Sequence, residues 1–403
     1  MVFTNTDESI QASLSLIDSG AFENQKYITE YPVLTALARN SKPSENLVNK
    51  LKEYLESKPI EFDYLNKLSL IYSTLAYTYC QNAGCSKSQL NGYSSVLSRV
   101  LGDDCSAEDN KAAVVAALKS VGNIGSFENA QVLEKCASNK ANEIEIRVNA
   151  INALRRFSCE DIEDLKENYS LLKDTTEDSE IRISAFLSIM KCSDNSETFA
   201  RFALNDLADF LVKEEDSQVL SFIIDYGKEH GITSVLNPAL NDPKVRSKFA
   251  SDFKTLSWNN YRYKYNVMRD GAVEVETSVI YTPQTWIPRS INYNITIHMF
   301  GASFNFLDAN LRLEGLDEIL KAVIIDKLTS EKLLERIMEK PEQLIDILQI
   351  VADKVIIISI QMSFIVFIFI KKISYLNSSS IPKKIQSWLY LWESMGQTYS
   401  IHD

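Results

Sequence analysis

Three histidines, His230, His298 and His402, and six cysteines, Cys80, Cys85, Cys105, Cys136, Cys159 and Cys192, have the widest chemical repertoire in this sequence. A zinc or metallohydrolase site needs such residues at short, paired intervals. The histidines stand far apart, with no cysteine or paired carboxylate at ligand spacing, and Cys80 and Cys85 lack a second pair. No serine sits in a nucleophile elbow and no glycine loop could cradle a phosphate, while Gly122 and Gly125 read as helix terminators. The acidic residues are scattered along polar helix faces, where solvation accounts for them. The sequence therefore predicts no catalytic residue, no metal ligand and no cofactor, and points to a carrier and not an enzyme.

Charge narrows the partners. Lys and Arg number 42 against 54 Asp and Glu, a formal net charge of -12, so nucleic acid is not the expected partner: phosphate binding needs a basic surplus on one surface. The 403 residues, 45% hydrophobic and 24% charged, have the composition of ordinary globular domains. An even cysteine count allows a disulfide set or six free thiols. Sequons at Asn168, Asn294 and Asn377 lean toward glycosylation and hence secretion. Met1 to Ser9 is polar and carries Asp7 and Glu8 where a signal peptide would need an apolar core, so a secreted protein would here lack its beginning.

The elements that must position any site are mostly helices. From Met1 to about Phe253 apolar residues recur at helical spacing, as in Leu47, Leu51 and Leu55, or Leu65, Leu68, Ile71, Tyr72, Leu75 and Ala76. Pro32, Pro43, Pro59, Gly84 and Gly102 separate the runs. A repeat runs through them: Lys111, Val114, Ala117 and Leu118 align with Arg147, Ala150, Ala153 and Leu154, and these with Arg182, Ala185, Ser188 and Ile189. A fourth copy opens at Asp216-Ser217-Gln218-Val219, echoing Asp178-Ser179-Glu180-Ile181. Such a period predicts stacked helix pairs of the solenoid kind, whose concave side binds something, here another part of the same chain.

From Trp258 to Gly315 the period changes to two. Tyr261, Tyr263, Tyr265 and Val267 alternate with Arg262, Lys264 and Asn266, and Asp270-Gly271 signals a tight hairpin. Val273, Val275 and Val279 alternate with Glu274, Glu276 and Ser278; Ile295, Ile297 and Met299 alternate with Asn294, Thr296 and His298; Phe304 and Phe306 alternate with Ser303 and Asn305. Pro283 and Pro288 bracket a loop at the sheet's edge. One face of this sheet is apolar and must be covered, either by lipid or by the concave side of the helical repeats. Helices return from Leu316, with amphipathic stripes that read as core packing or as lipid contact.

Taken together, Tyr281-Thr282-Pro283, Ile287-Pro288-Arg289-Ser290, Asn294-Ile295-Thr296 and Phe300-Gly301 resemble the large lipid transfer proteins, the family of apolipophorin, apolipoprotein B, vitellogenin and the microsomal triglyceride transfer protein. Ala117-Leu118-Lys119-Ser120-Val121-Gly122-Asn123 and Ala153-Leu154-Arg155-Arg156 agree, and Arg312 with Glu314-Gly315-Leu316 looks most like insect apolipophorin. The resemblance implies an α+β, mostly α fold: an arched, superhelical helical domain over residues 1–255, the start of an antiparallel lipid-cavity sheet over 256–315 and amphipathic helices over 316–354. It implies secretion into the extracellular space or haemolymph, phospholipid and neutral lipid as cargo in a cavity between sheets and arch, and a lipoprotein receptor as a possible partner. It implies disulfides Cys80 with Cys85 and Cys159 with Cys192, leaving Cys105 with Cys136. The residues expected to face lipid are Val273, Val275, Val279, Ile295, Ile297, Met299, Phe304 and Phe306, and the expected glycosylation sites are Asn168 and Asn294.

Past Lys354 the resemblance is expected to lapse. Val355 to Ile370 is apolar but short of the roughly 20 residues a spanning helix needs, so residues 355–403 read as an atypical tail from a truncated gene model or, failing that, a tail anchor. No membrane span is expected before residue 355. Two other readings stay open: a vitellogenin-like yolk storage protein, and a helical-repeat interaction scaffold that carries no lipid.

Overall fold

The computed structural model describes residues 6–20, 42–59, 65–106, 110–125, 130–157, 166–193, 207–250, 256–265, 271–282, 288–299 and 302–313, with Ala38, Asn40 and Glu128 besides. The chain divides into two compact units, Met1–Asp317 and Glu318–Asp403. The expected amphipathic helices of 316–354 and the apolar tail of 355–403 lie outside the described residues.

The described residues up to Ala250 are mostly helical: α1 (Asp7–Asp18), α2 (Glu45–Ser57), α3 (Leu65–Ala83), α4 (Lys87–Leu101), α5 (Lys111–Ile124), α6 (Ala130–Ser138), α7 (Ile144–Asn152), α8 (Lys166–Lys173), α9 (Ser179–Ser193), α10 (Ser217–Glu229), α11 (Thr233–Asn241) and α12 (Pro243–Ala250). A 3-10 turn, Ala153–Arg156, follows α7, and residues 207–213 are helical. Helices this short are marginal alone, so local caps and tertiary packing hold them. Ser44 caps α2 through the Leu47 amide at 3.1 Å, and Ser86 with Gln89 closes a capping box on α4. The stripes at Leu47, Leu51 and Leu55 and at Leu65, Leu68, Ile71, Tyr72, Leu75 and Ala76 are all buried in one continuous core.

The helices form two layers. In one, α3 packs on α5, α5 on α7, α7 on α9 and α9 on α10; in the other, α6 packs on α8. The repeat has a physical basis. Arg147, near the start of α7, donates from Nε to the Ala137 carbonyl at 2.6 Å and forks onto Glu177 at 2.9 and 2.5 Å. One repeat later, Arg182 donates to the Leu172 carbonyl at 3.0 Å and forks onto Glu214. Each arginine thus ties off the carbonyl end of the helix before its own and a loop carboxylate after it. Lys111 occupies the same place one repeat earlier and pairs with Glu143 and Glu145 at the surface. Two disulfides staple the first half: Cys80 to Cys85 across the α3–α4 turn, and Cys105 to Cys136 between the loop after α4 and α6. The pairing expected of Cys159 with Cys192 lies outside the described residues.

After α12 come four strands in a single meander: β1 (Trp258–Tyr265), β2 (Gly271–Ile280), β3 (Ser290–Met299) and β4 (Ala302–Arg312), antiparallel throughout and in the order β1-β2-β3-β4. The layer of helices that ends in α10 meets the sheet through β1. Among the described residues no helix is long and apolar enough to cross a membrane.

Candidate functional site

Strand register sorts the sheet into two unlike faces. Val273 opposes Ile297, Val275 opposes Ile295 and Val279 opposes Ile291, and on β4 the column continues through Leu307, Ala309 and Leu311. The other face carries Ser278, Glu276 and Glu274 on β2, Asn292, Asn294, Thr296 and His298 on β3, and Asp308 and Asn310 on β4. On β1 the sense is inverted. Trp258, Asn260 and Arg262 share the apolar side, while Asn259, Tyr261 and Tyr263 join the polar one. The apolar face is thus three strands wide and bordered by an exposed Arg262.

It is the polar face that sits on the helices, not the apolar one. His230, capping α10, stacks on Tyr226 at 3.9 Å and lies 4.6 Å from the Tyr261 ring, with its Nε2 3.9 Å from the Glu276 carboxylate. Burial, and then the hydrogen bond to Glu274, push the Tyr261 phenol up to about 12. At the root of the sheet Arg289 pairs with Asp178 at 2.7 Å and Arg312 with Glu180 at 2.6 Å. Gln218, the counterpart of Glu180 in the next repeat, accepts from the Ser257 amide at 2.8 Å and hydroxyl at 2.7 Å, and Ser221 donates to the Ser257 carbonyl at 2.9 Å. The repeated Asp-Ser-Glu and Asp-Ser-Gln segments are therefore the sockets into which the sheet plugs. Among the described residues the expected alternative, in which the apolar strands pack against the concave side, is not what this seat shows: the apposed surfaces are ionic.

The two signature segments of the helical part meet in the wall behind the polar face. Arg155 donates from Nη2 to the Lys119 carbonyl at 2.9 Å and to Asn123 Oδ1 at 2.5 Å, and Arg156 donates to the Asn123 carbonyl at 2.6 Å while stacking over the Tyr77 ring at 3.8 Å. A Cβ on Gly122 would come within 2.2 Å of Arg155 Nη1 and 2.8 Å of the Ala153 Cα, so only glycine lets the Arg155 segment cross α5. Gly125 does end α5, in the left-handed conformation at φ 69°.

Of the residues expected to face lipid, Val273, Val275 and Ile295 are half-buried, Val279 and Ile297 are buried, and the side chains of Met299, Phe304 and Phe306 lie outside the described residues. A bulge pairs Ile295 with Leu307 and Thr296 with Asn305, stepping over Phe306, so Leu307 also enters the column, opposite Ile295. A bulge leaves no mark on a two-residue period, which is why Leu307 escaped sequence reasoning. Asn168 is 3% exposed and donates to Ser188 at 3.0 Å, which leaves no room for the glycan its sequon suggests. Asn294 lies on the helix-facing side of β3, beside Glu276 and Asp308. His298 pairs with Glu274 at 3.1 Å, and among the described residues no three His, Cys, Asp or Glu side chains gather where they could hold a metal.

Comparison with known proteins bears on most of the chain. Residues 1–226 match the family model of the vitellogenin TPR domain and residues 255–390 that of the vitellinogen open β-sheet. The second match runs past Lys354, so residues 355–390 fall inside a family match where a lapse was expected. Apolipophorins of Locusta migratoria are 26% identical over 66% of this chain and 8% of their own length, and those of Drosophila melanogaster 28% identical over 79% and 9%. The chain thus spans less than a tenth of these relatives. A solved structure of lipovitellin, described for its lipid-protein interactions, superposes with a TM-score of 0.57 at 19% identity, covering 72% of this chain and 31% of that one, and shares the fold.

Proposed function

The chain belongs to the vitellogenin family of large lipid transfer proteins, and on that premise we propose that it is part of a secreted, non-enzymatic lipid carrier whose cargo lies on the apolar face of the sheet. The observation that carries this reading is the inverted seating of the sheet. Its ionic face is consumed by the helices, so the valine and isoleucine columns face away from them, with Val273, Val275 and Ile295 only half-buried. Acyl chains suit such a surface because they fill volume without demanding hydrogen bonds, at about 25 cal/mol for each Å² of apolar surface removed from water. The border is suited to headgroups: Arg262 stands exposed on the same side, steadied by Asn260 at 3.1 Å. Phospholipid at the rim and neutral lipid over the columns is the arrangement this amphipathic surface favours. The names of its relatives support carriage of lipid, and the buried ionic seat supports a sheet built to present one face.

Lipid extraction and mass spectrometry of the purified full chain test the reading, with a Val275→Asp, Ile295→Asp variant alongside. Phospholipid and neutral lipid should accompany the parent protein and be depleted from the variant, whose circular dichroism should be unchanged because both sites are half-open. A parent protein free of lipid, or a variant that keeps the full complement, would overturn the proposal.

A further inference from the structure

We propose that His230 is a proton-operated latch between the helices and the sheet, tightening the hold of α10 on β1 and β2 as the medium turns from mildly alkaline to mildly acidic. The inference concerns the joint and not the apolar face, so it does not rest on the lipid reading. The joint has two ends along α10. At the start of the helix, Gln218 and Ser221 hold Ser257 through amide, hydroxyl and carbonyl groups, none of which ionises near neutral pH. At the other end the hold is made of ionisable groups. His230 lies between a helical and a strand tyrosine, stacked on Tyr226 at 3.9 Å and 18° and tilted against Tyr261 at 4.6 Å and 34°. Its Nε2 is buried with no hydrogen-bond partner among the described residues, and the Glu276 carboxylate stands 3.9 Å away, beyond hydrogen-bond reach.

A buried polar atom without a partner is costly, and one proton resolves it. In neutral His230 the Nε2 atom either keeps a bare lone pair or holds an N–H too far from Glu276 to donate, whereas in the imidazolium both nitrogens are donors. A charged N–H draws the carboxylate into a charge-assisted hydrogen bond across the joint, a side-chain movement of about 1 Å. The place suits a cation. The His230 amide closes α10 on the Tyr226 carbonyl at 2.9 Å, at the end where the helix dipole favours positive charge, and the flanking tyrosine faces attract it too. From α10 itself Glu229 accepts from the Tyr261 amide at 3.4 Å, β2 brings Glu274 beside Glu276, and β3 brings His298. Lys191 on α9 is drawn to Glu276 and to Asp308 on β4, as Arg155 and Arg156 are to Asp308, and α11 carries no ionisable side chain. His298 and Glu274 both belong to the sheet, so their pairing at 3.1 Å does not cross the joint; that of His230 with Glu276 does.

Hydrogen–deuterium exchange of the full chain tests the latch, read by mass spectrometry at about pH 8 and about pH 5.5, a span across which histidine changes charge, and corrected for the intrinsic rate at each pH. In the parent protein, peptides covering Asn259 to Tyr263 should be better protected in acid by about threefold or more. His230→Gln should abolish this gain. Glu276→Gln should abolish it with the imidazole still in place, which keeps the test decisive should the first variant fold poorly. His298→Gln should leave the gain intact, because its pair lies within the sheet. Protection of α5 and α7, in the helical layer away from β1, should match the parent in every variant. No gain in acid, a loss in acid, a gain that survives His230→Gln or Glu276→Gln, or one that His298→Gln removes overturns the proposal.

Discussion

Replacing Arg182 by Met tests whether the buried ionic clasps hold the helical repeats together. Arg182 and Glu214 are each 1% exposed in their side chains, and the arginine makes three hydrogen bonds, one to the Leu172 carbonyl and two to the carboxylate. In Arg182→Met, Glu214 keeps the Asp216 amide at 2.8 Å but no counter-charge, and a buried charge stripped of its partner costs about 3 to 5 kcal/mol. The double variant Arg182→Met, Glu214→Leu removes both charges. It leaves only the Leu172 carbonyl and the Asp216 amide short of a partner, for roughly 1 to 2 kcal/mol. Glu214→Leu strands Arg182 at a similar cost, so the cycle should show a coupling of roughly 4 to 9 kcal/mol. A gradient along the repeats gives an internal control. Arg147 and Glu177, each 5% exposed, should behave like Arg182, whereas Lys111→Met, at a surface pair, should cost about 1 kcal/mol or less. Urea unfolding followed by circular dichroism reads all of these. An Arg182→Met cost no larger than that of Lys111→Met, or additivity in the cycle, would refute the reasoning.

Gly122→Ala should destabilise by about 1 to 3 kcal/mol, since its Cβ meets the backbone of Ala153, while Gly92→Ala, in the open middle of α4, should stabilise by up to about 1 kcal/mol; thermal melts compare them. Loss of the Cys105–Cys136 bridge, which closes 31 residues, should cost about 4 kcal/mol by loop entropy, and loss of Cys80–Cys85, which closes 5, about 2 kcal/mol; paired serine variants in denaturant resolve the order. Burial raises the Glu177 carboxyl, but hydrogen bonds from Arg147 and the Asp178 amide outweigh it and leave it below its usual 4.5. A carboxyl lowered on folding stabilises above 4.5 and ceases to as pH falls through the folded value, so Glu177→Gln should flatten the acid limb of a stability-against-pH curve.

Periodicity exposed most of the architecture. The echo of Arg147 and Arg182 was visible because both copies place a guanidinium on the carbonyl end of the previous helix, and the strands because one face excludes polar side chains. What could not be read was which face the helices would take. Alternation says that two faces differ, and burial of the apolar one is the usual outcome, but here Arg289 and Arg312 reach acids more than a hundred residues upstream, a pairing no local pattern encodes. Nor does a sequon report burial. Asn168 has the right triplet, yet its position on α8 turns its amide to Ser188. The bulge at Phe306 was hidden for a related reason, since an added residue changes register without changing composition.

The segment from Glu177 to Arg182 joins three other parts of the protein, namely the preceding repeat, the sheet and the loop before α10. Glu177 holds Arg147 of the preceding repeat, Asp178 and Glu180 hold the sheet, Ser179 donates to Asp216 at 2.6 Å, and Arg182 holds Glu214. On a ribosome these bonds close in a fixed sequence. The clasp to Arg147 can form as soon as Glu177 emerges, and that to Glu214 follows 32 residues after Arg182. Asp178 and Glu180 must wait for arginines 111 and 132 residues further on, which at 5 to 20 residues per second is a delay of roughly 6 to 26 s. During that interval the repeats are complete while their sockets stand open and negatively charged. Docking of the sheet is thus the closing event of this part of the chain's synthesis, and a nascent chain stalled between Ser257 and Arg289 would display a finished helical array with an empty seat.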